Sequence, residues 1–135
     1  MSEKLKALLG QYERALKKLR EAVEVSKTEM ARDSAIQRFE FTFDLAWKTL
    51  KCFLEERDPS LRIRFPSECY RHAFQKGLIE NEPEWIATVE KRNLTSHSYN
   101  EAVAEEVYEN LPGFLGLYES LLGKLKKEKD PLCES

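Results

Sequence analysis

Glycine and proline are scarce in this sequence, with five of each among 135 residues. All-β domains need frequent turn residues, and collagen-like or low-complexity chains need many more, so the scarcity excludes these classes. Long apolar runs are also missing, since none approaches the roughly 18 residues of a membrane-spanning helix. The opening residues Met1-Ser2-Glu3-Lys4 do not start a signal peptide. We therefore expect a helical protein of the cytoplasm with no membrane partner.

Features of metal and cofactor sites are equally sparse. The cysteines are odd in number and share no short spacing, which excludes a disulfide framework and a Cys-x-x-Cys zinc site. We expect all three to be reduced thiols: Cys52, Cys69 and Cys133. There are two histidines, no cluster of His, Cys, Asp or Glu at ligand spacing, and no glycine-rich phosphate loop. The sequence predicts neither a metal site nor a cofactor.

The charge balance argues against a binder of duplex DNA. The formal net charge is −2, whereas phosphate neutralisation needs a concentrated basic surface. The charges are unevenly distributed, since residues 57–76 contain five bases and two acids, and residues 100–135 contain eight acids and four lysines. The first segment could attract phosphate groups that the second would repel.

Helical periodicity is abundant. With 41% hydrophobic and 34% charged residues, the chain has enough apolar surface for the core of one domain, which we expect to span 1–135. Apolar residues at steps of three and four predict a long first helix that begins near Leu5 and stops between Met30 and Asp33, with Asp33 as the next N-cap. Helices joined by so short a turn should pack antiparallel.

The second helix, from Ser34 to about Arg57, has more apolar surface than one contact can cover. Phe41, Leu45 and Cys52 lie off its main stripe, which is typical of a helix at the centre of a bundle or at a subunit interface. A buried central helix in a monomer and a dimer interface both satisfy this pattern.

Three further helices follow, separated by stop signals. Asp58-Pro59-Ser60 ends the second helix and Gly77 ends the third, while Pro112 predicts a kink or break in the last. The tail 126–135 is expected to fray. The expected helices are Ser67 to Lys76, Asn81 to Asn93 and Glu101 to Lys127. The sequence predicts an all-α antiparallel bundle of about five helices.

Glu40 and Asp44, one helical turn apart, have the appearance of a catalytic carboxylate pair. Lys48 lies one further turn along the same helix. Oppositely charged side chains at this spacing pair across a helix surface, so we favour a salt-bridged surface over a catalytic pair.

The segment from Arg92 to Tyr99 is the best candidate for a catalytic site. Residues five apart in a continuous helix point about 140° apart, so Arg92 and His97 converge only if the helix ends between them. The polar run 95–100 predicts that ending. An arginine binds phosphate oxygens with a charged fork, and a histidine that titrates near neutral pH gives or takes a proton. The pair suits phosphate chemistry, although the spacing alone also fits a solvated loop histidine.

Four segments in succession form a more specific pattern. They are 36–51 (IQRFEFTFDLAWKTLK), 66–68 (PSE), 73–79 (AFQKGLI) and 92–99 (RNLTSHSY). Their ordered succession resembles the nucleotidyltransferase substrate-binding proteins of the HEPN superfamily, in the HepT-like branch. The resemblance covers roughly residues 5 to 125, which is nearly the whole chain.

The resemblance implies an all-α bundle that forms a homodimer and is encoded beside a minimal nucleotidyltransferase. In ribonuclease members of the superfamily, an Arg and a His separated by four to six residues form the active site where two copies meet. This implies Arg92 and His97 as catalytic residues and Asn93 as their polar neighbour. In the HepT-like toxins a Tyr two residues after the His accepts AMP from the antitoxin, which implies that role for Tyr99.

The implied activity is metal-independent cleavage of RNA, for which a histidine and a fixed positive charge suffice. The chain lacks the Gly-Ser loop and paired aspartates of a magnesium-dependent nucleotidyltransferase, so any nucleotidyl transfer must come from the partner. Three hypotheses follow. The chain is a ribonuclease toxin silenced through Tyr99, a non-catalytic subunit that presents a substrate to the transferase, or a helical scaffold in which Arg92 only caps a helix.

Overall fold

The structure, a computed structural model, describes residues 1–129. Within these residues it has five α-helices and no strand, which confirms the predicted fold class. The helices are α1 (Glu3–Glu24), α2 (Glu29–Arg57), α3 (Pro66–Gln75), α4 (Glu82–His97) and α5 (Glu101–Lys129). None of the helices within residues 1–129 combines the length and the apolar composition that a membrane span requires.

The hairpin of α1 and α2 supports the other helices. The Ser2 amide donates to the Glu56 carboxylate, and the Thr42 hydroxyl donates to the Ala15 carbonyl, so the two helices run antiparallel as predicted. The apolar stripe of α1 is buried through five side chains: Leu5, Leu9, Tyr12, Leu16 and Leu19.

The turn between α1 and α2 comes earlier than predicted. Thr28 is the N-cap of α2 instead of Asp33, because the Thr28 hydroxyl accepts a hydrogen bond from the Ala31 amide at 3.0 Å. Arg32 and Asp33 therefore belong to the beginning of α2 and project from a helix instead of a turn.

Aromatic contacts between helices fix α4 in the bundle. The Trp85 ring of α4 lies 5.0 Å from the ring of Tyr70 on α3 and 5.5 Å from that of Tyr118 on α5, centroid to centroid. The Phe39 and Phe114 rings stack at 5.5 Å and join α2 to α5. Buried ring pairs of this kind add about 0.5–1.5 kcal/mol each beyond the burial of their area. They anchor the beginning of the helix that bears Arg92 and His97.

Gly77 ends the third helix as predicted, and its φ of 77° is the left-handed conformation that glycine adopts without strain. That helix begins at Pro66, one residue before Ser67, because proline at the first helical position loses no hydrogen bond. Cys52 and Cys69 are buried free thiols, as expected, while Cys133 lies outside the described residues.

The predictions for the last two helices need correction. α4 continues past Asn93 to His97, because the hydroxyls of Thr95 and Ser96 donate to the Arg92 carbonyl at 2.8 and 3.3 Å and the polar run stays helical. α5 passes through Pro112, an exposed position, without a break. Residues 126–129 are helical and do not fray, and the rest of the tail, 130–135, lies outside the described residues.

Candidate functional site at the end of the fourth helix

The segment from Arg92 to Tyr99 lies against the first half of α2. Arg92 Nη1 is 3.4 Å from Glu40 Oε2, and the Tyr99 hydroxyl donates to Asp33 Oδ1 at 2.9 Å. From Arg92 to Tyr99 the chain advances seven residues, while their partners on α2 go back seven residues, from Glu40 to Asp33. The two segments therefore run antiparallel. Seven residues of α-helix span about 10 Å. The candidate site is therefore short enough for one or two nucleotides to cover.

Arg92 has a fixed orientation. Its side chain is 26% exposed and held by the Glu40 carboxylate and by a close hydrogen bond to the Ser96 hydroxyl. Its Nε is buried and has no hydrogen-bond partner among the described residues. Glu40 forms a salt bridge, as favoured from the sequence, but its partner is Arg92 on α4 instead of the predicted Lys48 on α2. The carboxylate orients a guanidinium that still reaches the surface.

His97 is the last residue of α4 and is exposed. Because the helix does not end between Arg92 and His97, the predicted convergence of the two side chains within one chain is wrong. They point about 140° apart around the helix axis. Asn93, also exposed, lies one turn before His97 and shares its face. One chain therefore presents Arg92 on one side of α4, and His97 with Asn93 on another.

Tyr99 lies in the short connection between α4 and α5 and is 50% exposed. Partial burial of the ring and the hydrogen bond that its hydroxyl donates to Asp33 raise the pKa of Tyr99 to about 12. The side chain is therefore a neutral phenol at physiological pH, with one side open to a second protein.

A cluster of charged residues behind Tyr99 was missed by the sequence analysis. In this Arg32 cluster, buried Arg32 donates through Nε to Asp33 at 3.0 Å and through Nη1 to Glu101 and Glu105 at 2.8 and 3.0 Å. The hydrogen bond from Arg32 holds the pKa of Glu101 below its usual range. The sequence contains one indication of the cluster. Glu101 and Glu105 lie one turn apart at the beginning of α5, and their mutual repulsion is relieved by a cation between them.

Other possible sites are weaker. No three His, Cys, Asp or Glu side chains of the described residues gather into a metal-binding group. In the basic segment 57–76, Arg57 Nη2 lies 2.9 Å from Glu128, and Lys76 Nζ lies 3.8 Å from Asp58. These ion pairs partly neutralise the segment, and the Arg–His pattern implied by the resemblance lies elsewhere, at Arg92 and His97.

Residues 8–127 match the family described as nucleotidyltransferase substrate binding protein like. A probable ribonuclease HepT of Haemophilus influenzae is 32% identical over 96 residues, which are 69% of this chain and 66% of that protein. The alignment thus spans slightly less than two thirds of the relative's length.

Two solved structures have the same fold. A crystal structure of a Thermus thermophilus protein is 36% identical with a TM-score of 0.78, and the match covers 84% of this chain and 98% of that one. A Haemophilus influenzae structure, described as the fold of a substrate binding domain of a nucleotidyltransferase, is 27% identical with a TM-score of 0.67, covering 90% and 96%. The chain belongs to the nucleotidyltransferase substrate-binding protein family, in the HepT-like branch of the HEPN superfamily.

Proposed function

We propose that this chain is a HepT-like toxin of the cytoplasm, a metal-independent endoribonuclease that acts as a homodimer. A minimal nucleotidyltransferase encoded nearby silences it by adenylylating Tyr99. The observation that carries the proposal is the oriented guanidinium of Arg92 on α4. Glu40 of α2 holds this guanidinium, and α4 itself ends in an exposed His97. Family membership and the relative described as a probable ribonuclease support this activity.

The proposed reaction uses the ribose as its own nucleophile. A histidine accepts the proton of the 2′-hydroxyl, whose oxygen attacks the neighbouring phosphorus, and the bond to the 5′-oxygen breaks. The products are a 2′,3′-cyclic phosphate and a 5′-hydroxyl. Arg92 stabilises the charge that develops on the pentacoordinate phosphorus. Because Arg92 and His97 diverge within one chain, each site of the dimer would combine Arg92 of one copy with His97 of the other.

Surplus apolar surface on α2 supports the dimer. Phe41 is 48% exposed and Leu45 is half-buried beside it, at a groove of about 320 Å³. Cys52, which was expected to contribute to this surface, is buried within its own chain. The dimer contact therefore involves a smaller apolar area than predicted, centred on Phe41.

We expect Phe41→Arg to convert the dimer into a monomer at micromolar concentration and to abolish cleavage. The groove beside Phe41 is already lined by Arg14, Lys18 and Arg38, so an added guanidinium meets like charges as it loses its hydration, and the dissociation constant should rise at least about 100-fold. Sedimentation measures this change. Phe74→Arg is the matched control, since Phe74 on α3 is 45% exposed and lies outside the groove. A wild-type protein that stays monomeric would contradict the dimer.

The activity is tested with protein freed of its partner, single-stranded RNA and a chelator. We expect cleavage that the chelator does not inhibit, with 2′,3′-cyclic phosphate on the upstream product. An absolute requirement for a divalent cation would contradict the proposed chemistry.

The alternative is a non-catalytic subunit that presents a nucleotide or another acceptor to the transferase. The divergence of Arg92 and His97 within one chain favours it, as does the structural relative described as a substrate binding domain. Partner-free protein that binds nucleotides and cleaves no RNA would support this function over the first.

A further inference from the structure

Asp33 is the meeting point of Tyr99 and the Arg32 cluster. Its Oδ1 atom accepts the Tyr99 hydroxyl at 2.9 Å and Arg32 Nε at 3.0 Å. Asp33 therefore lies at the oxygen atom to which AMP would be attached, and the proposed ribonuclease reaction gives it no role.

Arg32 holds Asp33 in place. The Arg32 side chain is 4% exposed, and all three of its guanidinium nitrogens donate hydrogen bonds to carboxylates. Because several hydrogen bonds fix the Arg32 guanidinium, its Nε donates from a fixed position. The Asp33 carboxylate that accepts this hydrogen bond is held in place. This arrangement joins the beginning of α2 to the beginning of α5 across the connection that contains Tyr99.

Carboxylates outnumber cations around Asp33. Lys27 and Arg32 face three carboxylates, those of Asp33, Glu101 and Glu105, which leaves one negative charge in excess. Charged groups surround Asp33 and Tyr99 from α2, α4, α5 and the connection between α1 and α2. They are Lys27, Arg32, Glu40, Arg92, Glu101 and Glu105.

We propose that Asp33 is the proton acceptor that activates Tyr99 for adenylylation. This inference rests on the proposed role of Tyr99 as the AMP acceptor. The Tyr99 oxygen forms a bond to the α-phosphorus of ATP, the bond from that phosphorus to its bridging oxygen breaks, and pyrophosphate leaves. The phenolic proton passes to Asp33 Oδ1 and then to water.

Tyr99 needs such an acceptor. With its pKa raised to about 12 by burial and the Asp33 hydrogen bond, only roughly one phenol in 100,000 is ionised at pH 7. Direct attack by the phenolate would therefore be rare. A carboxylate within hydrogen-bond distance can remove the proton as the new bond forms. General base catalysis of this kind raises a reaction rate by about 100-fold or more.

The test compares Asp33→Asn with the wild type, using the nucleotidyltransferase encoded beside this chain and ATP. Asparagine still accepts a hydrogen bond but cannot take up the proton. At pH 7 we expect AMP transfer to Tyr99 to fall at least about 100-fold. The ratio of variant rate to wild-type rate should rise with pH as hydroxide replaces the carboxylate, and this ratio cancels the pH dependence of the transferase. Asp44→Asn on the same helix is the matched control.

Two further measurements separate the possible causes. Asp33→Asn should lower the pKa of Tyr99 from about 12 toward its usual value, which an NMR titration of the ring reads without any transferase. Asp33→Glu, which restores a carboxylate, should recover at least about tenfold of the lost rate. Loss of structure alone predicts no such recovery.

The outcomes are distinguishable. Wild-type protein modified on Tyr99 together with Asp33→Asn modified equally fast at every pH would overturn only the role of Asp33. Wild-type protein that takes up no AMP on Tyr99 from an active transferase would overturn the proposed role of Tyr99, and this inference with it.

Discussion

Replacing His97 with alanine is expected to reduce RNA cleavage by about 100- to 10,000-fold, the range in which general acid and base groups contribute. His97 is exposed at the last position of α4, so its removal takes no packing from the core. The thermal unfolding midpoint should therefore stay that of the wild type. Cleavage rate and circular dichroism on the same preparation separate loss of chemistry from loss of fold.

The control for this substitution is His72→Ala. His72 is the other histidine of the chain and lies on α3, away from the Arg92 segment. Its replacement should leave the cleavage rate unchanged. Equal activity in His97→Ala and wild-type protein would remove His97 from the mechanism.

Arg92→Lys is expected to lose about 100-fold or more of the cleavage rate, comparable to the loss of one strong transition-state donor. An ammonium retains the charge and can still pair with Glu40, but it cannot make the two-pronged contact of a guanidinium with phosphate oxygens. Arg71→Lys, at an exposed position on α3, should be silent. Wild-type activity in Arg92→Lys would show that the fork is not needed.

The second large effect concerns Tyr99. Incubation with the partner nucleotidyltransferase and ATP should add one or more AMP units to the chain and extinguish cleavage. The anchors of Tyr99 and Arg92 on α2, Asp33 and Glu40, are about 10 Å apart along the helix. AMP on Tyr99 can thus reach the guanidinium, where its phosphate competes with RNA and its bulk covers the site.

Tyr99→Phe should cleave RNA as the wild type does, escape modification, and remain toxic when the partner is co-expressed. The phenol has no part in the cleavage step, so only silencing is lost. Tyr108→Phe, a half-buried tyrosine of α5, is the control and should still be silenced. Localisation of AMP to another residue, or silencing of Tyr99→Phe by the partner, would contradict this account.

Periodicity and stop signals predicted most of the fold. The steps of three and four gave five helices in the right order, because each helix buries one face that its own sequence encodes. Gly77 marked a helix end for a local reason, its left-handed conformation. The family assignment also came from local segments, and the family match at residues 8–127 confirms it.

The details of the site depend on contacts that local patterns do not show. Arg32 reaches Glu101 and Glu105, which are 69 and 73 residues away, so the glutamate pair at the beginning of α5 does not indicate which residue supplies its cation. The end of α4 was misplaced because Thr95 and Ser96, usually turn residues, bond back to the helix. That error hid the divergence of the two predicted catalytic side chains.

The central claim is that each active site combines Arg92 of one copy with His97 of another. Its most direct test is the cleavage rate of a purified heterodimer with one Arg92→Lys chain and one His97→Ala chain. In a two-fold dimer, one of the two sites then keeps both native residues, so the heterodimer should recover about half of the wild-type rate while each parent variant stays inactive. A heterodimer as inactive as its parents would contradict the shared site.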